Sequence, residues 1–123
     1  MPHRKAVYVV DDDPSMLKGM RRLLRQYGYD SVPFETAKAL REHRDFDQAF
    51  CIVLDVNLCD GSGIDLRHEL AESGVVLPII YITGNDSHAT RMAAMASGCV
   101  AYLTKPFTAQ SLIEPIARAA AVA

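Results

Sequence analysis

The chain has 123 residues, half of them hydrophobic, which is the size of one globular domain with a sizeable core. Its formal net charge of -2 gives no electrostatic reason to expect sequence-independent binding to nucleic acid or to a membrane surface. The basic start is followed by an apolar run that stops at Asp11, too short for a secretory signal or a spanning helix, so we expect a cytoplasmic protein.

The three cysteines are Cys51, Cys59 and Cys99, and no two of them have the C-x-x-C spacing. An odd number without that spacing indicates neither a disulfide framework nor a zinc site. We therefore expect reduced thiols.

Five short apolar runs alternate with stretches long enough to form helices, which predicts an α/β fold with a doubly wound parallel sheet. Three of the runs, VYVV, CIVL and PIIYI, are continuously apolar, as is typical of strands covered on both faces. The predicted strands are residues 6–10, 30–34, 50–54, 78–82 and 100–103.

The clearest helix follows the first strand. Asp13 can cap it, Pro14 suits its first position, and Gly28 can end it. Its apolar residues recur at helical spacing and are expected to face the core: Leu17, Met20, Leu24 and Tyr27.

Four further helices are predicted over residues 35–43, 62–72, 87–96 and 108–121. In the fourth helix of the chain, Met92 and Met95 are expected to fill the core. The last helix contains Pro115 in its interior, where the missing N–H and the ring should bend it.

Polar residues follow four of the five predicted strands. In an open parallel sheet, ligands bind in the crevice at the carboxyl ends of the strands, so these residues should converge there. They are Asp11, Asp12 and Asp13 after the first strand, Asp55 after the third, Thr83 after the fourth and Lys105 after the fifth.

Carboxylates brought together raise one another's pKa unless a cation is present, and an oxygen-only ligand set suits a hard ion. We therefore expect Mg²⁺ at this edge, with Mn²⁺ as a substitute. The simpler alternative for the run from Asp11 to Asp13 is a solvated loop with one helix cap, and Asp13 is expected to be that cap.

Asp55 ends the strand CIVLD and precedes a turn that leads into a helix. A carboxylate in this position can act as a nucleophile toward phosphorus, or it can simply hydrogen-bond the backbone. Lys105 could pair with a phosphoryl oxygen, or it could be a surface lysine. Because Pro106 follows it, the Lys105–Pro106 bond has a raised chance of being cis.

Five sequence blocks, in this order, resemble the receiver-domain pattern of two-component response regulators, and the resemblance covers nearly the whole chain. It implies a single receiver domain over residues 1–123 with a flavodoxin-like (β/α)5 fold and the strand order 2-1-3-4-5. The TG and KPF blocks resemble the FixJ-like subclass. The blocks are VVDDD at 9–13, LD at 54–55, DGSG at 60–63, TG at 83–84 and KPF at 105–107.

The resemblance also implies a metal site. In that pattern Asp11 and Asp12 form an acidic pocket, with Asp12 binding the metal directly and Asp11 binding it through water. Asp55 and the backbone carbonyl of Asn57 complete the ligands that the protein supplies.

By the same resemblance, Asp55 accepts a phosphoryl group from the phosphohistidine of a sensor histidine kinase or a phosphotransfer protein. Thr83 and Lys105 hold phosphoryl oxygens, and Tyr102 is the aromatic residue that turns inward with Thr83 after phosphorylation. The implied partners include a second copy, in a phosphorylation-dependent homodimer through the fourth helix, fifth strand and fifth helix. Direct nucleic-acid binding and membrane binding are not expected of this domain.

Two other classes fit the pattern less well. Haloacid-dehalogenase-like phosphohydrolases usually carry a second Asp two places after the nucleophile, where this chain has Asn57. A degenerate receiver would lack an acidic-pair residue, the acceptor or the lysine, and this chain has them all. We therefore expect a signalling switch and not an enzyme with an independent substrate.

The chain departs from the family pattern at two positions: Cys59 stands where Pro is usual, and Pro115 is unusual in the last helix. Whether the domain is a stand-alone regulator or the front of a FixJ-like transcription factor stays open at this point.

Overall fold

Five parallel strands form the central sheet of this computed structural model, which describes residues 5–123. Their spatial order is β2-β1-β3-β4-β5, so the predicted order 2-1-3-4-5 is confirmed. Residues 1–4, the beginning of the basic start of the sequence, lie outside the described part. The strands are β1 (Ala6–Val10), β2 (Ser31–Phe34), β3 (Ala49–Asp55), β4 (Ile79–Thr83) and β5 (Ala101–Thr104).

Five helices cover both faces of this sheet, as the doubly wound pattern predicts. Each begins after a residue whose side-chain oxygen accepts a backbone N–H of the first turn, which satisfies donors that a helix start leaves free. The helices are α1 (Pro14–Gln26), α2 (Ala37–His43), α3 (Gly63–Glu72), α4 (His88–Ala96) and α5 (Ala109–Ala121), and their caps are Asp13, Thr36, Ser62, Ser87 and Thr108.

The core has two halves, one on each face of the sheet. Helices α1 and α5 pack on one face, and α2, α3 and α4 pack on the other. Strands β1, β3 and β4 are buried along their whole lengths, so the prediction that they are covered on both faces is confirmed. The edge strands β2 and β5 are partly exposed, and an edge position tolerates Pro33 within β2.

Two predictions about core-facing residues are wrong. Tyr27 is 51% exposed because α1 ends at Gln26, and the backbone turns away through Gly28 at a φ of 84°. Met92 and Met95 are each 58% exposed, because α4 makes its buried contact through Ala94.

Helix α5 continues through Pro115 to Ala121, and the proline is buried. It lies on the same face as Leu112, Ile116 and Ala119, all of which are buried. The ring therefore contributes to packing on the sheet, which the sequence pattern did not indicate.

Residues 57–62, one residue beyond the end of β3, form a small antiparallel hairpin in which Asn57 pairs with Ser62 and Leu58 pairs with Gly61. We refer to it as the 57–62 hairpin. The sequence predicts only a turn here. Within residues 5–123, the helices are all too short or too polar to cross a membrane.

Candidate functional site

The predicted site residues gather at the carboxyl edge of the sheet. Asp11 follows β1, Asp55 and Thr83 are the last residues of β3 and β4, and Lys105 follows β5. Asp11, Asp55 and Thr83 are almost completely inaccessible to solvent, with exposed fractions of 0, 3 and 0%. Burial of two carboxyl groups side by side is costly unless they are paired, so their partners decide what this edge can do.

Lys105 joins the two buried carboxylates. Its Nζ donates to Asp11 Oδ2 at 2.9 Å and to Asp55 Oδ2 at 3.0 Å. The Lys105–Pro106 peptide bond is cis. The lysine side chain is itself only 20% exposed, so it neutralises charge in a partly desolvated environment.

Burial disfavours the charged forms of Asp55 and Lys105, whereas pairing between them favours these forms. Burial raises the pKa of Asp55, although the Asn57 N–H and the Lys105 ammonium act to lower it. Burial also lowers the pKa of Lys105, but hydrogen bonds to Asp11 and Asp55 outweigh that effect and the pKa is raised. An ionised Asp55 in this site is therefore favoured by additional positive charge.

The chemistry of the carboxyl groups fits a hard cation. One carboxylate oxygen each from Asp11, Asp12 and Asp55 can be chosen so that the three lie within 4.8 Å of one another. Asp12 is exposed to solvent, while Asp11 and Asp55 are buried. An oxygen-only set with one solvent-facing member suits Mg²⁺, which usually keeps several waters.

Asn57 lies next to this cluster and hydrogen-bonds one of its members, Asp55, and the neighbouring Thr83. Its backbone N–H donates to Asp55 Oδ1 at 2.9 Å, and its side-chain Nδ2 donates to Thr83 Oγ1 at 3.0 Å. The Thr83 oxygen also accepts the N–H of Asn85 at 3.0 Å. Asn57 thus links the end of β3 to the end of β4.

Tyr102, by contrast, is held at the surface. Its hydroxyl donates to Asp86 Oδ1 at 2.8 Å, and the Arg91 guanidinium lies 5.1 Å from the centre of its ring. Partial burial and the Asp86 carboxylate raise the pKa of Tyr102 to about 12. The structure therefore does not bring the Tyr102 hydroxyl into the carboxylate cluster.

Two residues of the DGSG block, Asp60 and Gly63, have structural roles near the site that the sequence analysis does not assign. Asp60 accepts the backbone N–H groups of Ala37 at 2.9 Å and Lys38 at 3.0 Å, and these bonds hold the pKa of its carboxyl group below the usual range. Gly63 lies so close to β3 that a Cβ would overlap the backbone oxygen of Asp55 and lie 3.0 Å from its carbonyl carbon.

The signals for these two residues differ. Asp60 and the start of α2 are more than twenty residues apart, so no local pattern connects them. A glycine at the first position of a helix is a signal of close backbone approach, and it could have identified Gly63.

The parallel sheet and the position of its polar residues make this a doubly wound α/β domain with a site of buried carboxylates and a lysine at the carboxyl edge. Comparison with known proteins identifies the family. A family model described as the response regulator receiver domain matches residues 7–117. The chain therefore belongs to the response regulator receiver domain family.

Individual relatives support the same family assignment. Nodulation protein W of Bradyrhizobium diazoefficiens is 38% identical over 113 residues, which covers 92% of this chain and 50% of that protein. The solved structure of response regulator StyR is 35% identical with a TM-score of 0.88, covering 98% of this chain and 61% of that one.

The structure of a response regulator receiver protein from Pseudoalteromonas atlantica has a TM-score of 0.90 at 22% identity, covers 95% of this chain and 98% of that one, and shows the fold. The chain spans about half the length of the curated relatives it matches.

Proposed function

We propose that this domain accepts a phosphoryl group on Asp55 from the phosphohistidine of a sensor histidine kinase or phosphotransfer protein, in a reaction that requires Mg²⁺. The observation that carries the proposal is the convergence of Asp11, Asp12 and Asp55, with Lys105 bridging Asp11 and Asp55 at 2.9 and 3.0 Å. Such a site places a nucleophilic carboxylate among groups that can neutralise phosphoryl charge.

In the proposed reaction a carboxylate oxygen of Asp55 forms a bond to phosphorus, and the bond between phosphorus and the histidine nitrogen breaks. The nitrogen keeps the electron pair of that bond, and the histidine ring leaves as neutral imidazole because its other nitrogen carries a proton. Lys105 and the Thr83 hydroxyl hold phosphoryl oxygens as charge redistributes among them. Asp11, Asp12, Asp55 and the Asn57 carbonyl would hold Mg²⁺, and the ion would supply the remaining neutralisation of phosphoryl charge.

The proposal predicts that Asp55→Asn abolishes phosphorylation. Wild-type protein incubated with acetyl phosphate and Mg²⁺ should gain one phosphoryl group by intact-mass measurement, and excess EDTA should prevent the gain. Asp13→Asn is the matched control, because the same change in an exposed cap leaves the carboxylate cluster intact and asparagine still caps a helix. Labelling of Asp55→Asn at the wild-type level would refute the assignment.

We also propose that phosphorylation moves Thr83 and Tyr102 together. The Thr83 hydroxyl turns toward the phosphoryl group, and the Tyr102 ring turns into the space it leaves. One hydrogen bond to exposed Asp86 and a ring contact with Arg91 hold the outward position of Tyr102. Exposed contacts of this kind contribute little stability, so a local change can displace them.

Beryllofluoride, a phosphoryl mimic, tests this movement. Amide chemical shifts of residues 83–107 and the ring signals of Tyr102 are expected to change when it is added with Mg²⁺. Asp86→Ala removes the outward hydrogen-bond acceptor and should shift the Tyr102 ring signals before the mimic is added. Changes confined to residues beside Asp55 would contradict the switch.

We propose that phosphorylation changes the face formed by α4, β5 and α5 and that a phosphorylation-dependent homodimer forms through this face. Met92, Met95 and Val100 are exposed there, by 58, 58 and 45%, and supply apolar contact area. Sedimentation of the beryllofluoride samples measures this association, and a monomer at all concentrations would contradict it.

The whole protein is proposed to be a cytoplasmic FixJ-like transcriptional regulator, with a stand-alone regulator as the alternative. In either form the domain acts as a switch, without turnover of an independent substrate and without itself binding nucleic acid or membrane. The full reading frame distinguishes the two forms.

A further inference from the structure

The 57–62 hairpin has little to stabilise it from within. It contains only two residue pairs, Asn57 with Ser62 and Leu58 with Gly61, and the residues at its tip are exposed. Longer isolated hairpins are already marginal in water. Its position must therefore depend on contacts with the rest of the domain.

The tip of the hairpin is tied to the start of α2 by one side chain. Asp60 Oδ1 accepts the N–H of Ala37 at 2.9 Å, and Asp60 Oδ2 accepts the N–H of Lys38 at 3.0 Å. Both carboxylate oxygens are used, and they meet the end of the helix where partial positive charge accumulates. Charge-assisted bonds of this kind are stronger than neutral ones.

The base of the same hairpin contacts the site. Asn57 donates its backbone N–H to Asp55 Oδ1 at 2.9 Å and its side-chain amide to Thr83 Oγ1 at 3.0 Å. A shift of the hairpin relative to α2 would move Asn57, and with it both of these bonds. The two ends of the hairpin thus connect α2 to the phosphoryl site.

We infer that Asp60 is a positioning residue, which holds the 57–62 hairpin against α2 and thereby fixes Asn57 beside Asp55 and Thr83. The inference rests on the proposed function, in which the Asn57 carbonyl is a metal ligand. Asp60 itself touches neither Asp55 nor Lys105, so it acts through Asn57. Residues that do not touch a metal ion commonly orient the ligands that do, and Asp60 has this role toward Asn57.

The structure offers a matched control. Thr36 also caps α2, since its Oγ1 accepts the N–H of Ala39 at 2.9 Å, but it belongs to the chain that leads into the helix and makes no hydrogen bond to the hairpin. Thr36→Ala and Asp60→Ala should both lower the melting temperature, because each removes capping bonds from the same helix. Of the two, only Asp60→Ala removes hydrogen bonds that join the hairpin to α2.

The test is the affinity for Mg²⁺, measured by calorimetric titration, together with the hydrogen-exchange rate of the Asn57 amide. We expect Asp60→Ala to raise the Mg²⁺ dissociation constant about tenfold and to speed exchange at Asn57. Asp60→Asn, which keeps one oxygen acceptor and a similar shape, should lie between Asp60→Ala and wild type. Thr36→Ala should bind Mg²⁺ within about twofold of wild type.

Equal weakening of Mg²⁺ binding in Thr36→Ala and Asp60→Ala would overturn the inference, because loss of α2 stability alone would explain it. Unchanged Mg²⁺ affinity in Asp60→Ala would also overturn it. If Asp60→Ala does not fold, the comparison of Asp60→Asn with Thr36→Ala decides by the same criteria. A wild-type protein that neither binds Mg²⁺ nor accepts a phosphoryl group would instead refute the proposed function.

Discussion

Lys105→Met is expected to lower the free energy of unfolding by about 3 kcal/mol near neutral pH when divalent cations are absent. The substitution leaves Asp11 and Asp55, which are 0 and 3% exposed, without the ammonium that bridges them. Removing one partner of a buried ion pair is strongly destabilising because the remaining charge stays desolvated. Urea unfolding followed by circular dichroism, in EDTA, measures the loss.

This loss should depend on pH in a defined direction. Burial already raises the pKa of Asp55 with Lys105 present, and removal of the lysine should raise it further. A carboxyl group whose pKa is higher in the folded than in the unfolded chain stabilises the protein at low pH. This contribution to the free energy of unfolding is lost as the pH rises through the pKa of the folded state. The difference between the variant and wild type is therefore expected to be smallest in acid and to widen toward neutral pH.

Lys38→Met is the control for the loss of a lysine. Lys38 is paired with Glu42 at 3.7 Å, but its side chain is 75% exposed, so its replacement should cost less than about 0.5 kcal/mol. Added Mg²⁺ should restore part of the stability of Lys105→Met by replacing the lost positive charge. Equal losses in the two lysine variants would show that the bridge in the site contributes nothing beyond a surface pair.

The sequence predicts the elements of this fold well because their signals are local. Continuously apolar runs identify β1, β3 and β4, and the cap Asp13 followed by Pro14 identifies the start of α1. The site follows from the same reasoning, since residues at the ends of parallel strands meet at one edge. Asp11, Asp55, Thr83 and Lys105 are brought together there as expected, while their chemical roles stay predictions.

The wrong predictions arise where the local pattern allows two interpretations. The sequence of α4, HATRMAAMA, has apolar residues on several faces, so periodicity alone does not identify the buried one. A small residue, Ala94, permits the closest approach to the core, and Met92 and Met95 are left exposed. The Asp60 cap is beyond any local pattern, because the bond to α2 forms only when the chain has folded.

Gly63→Ala is expected to lower the free energy of unfolding by about 3 kcal/mol, because the space for a side chain at this position is already filled. The new Cβ would overlap the backbone oxygen of Asp55 and lie 3.0 Å from its carbonyl carbon and 3.1 Å from Leu54 Cγ. Backbone atoms in the middle of a sheet cannot move aside as a flexible side chain could. The melting temperature should fall by roughly 10 °C.

Gly19→Ala makes the same chemical change where there is room for it. Gly19 is in α1, where an added Cβ would meet nothing within 4 Å beyond its own helix backbone, and alanine favours a helix over glycine, so this control should gain up to about 1 kcal/mol. Because the clash in Gly63→Ala is with Asp55 itself, phosphorylation should also slow in the part of that variant that remains folded. A Gly63→Ala protein as stable as Gly19→Ala would mean that α3 can move away from β3, and the close contact would then not be what fixes the backbone of Asp55.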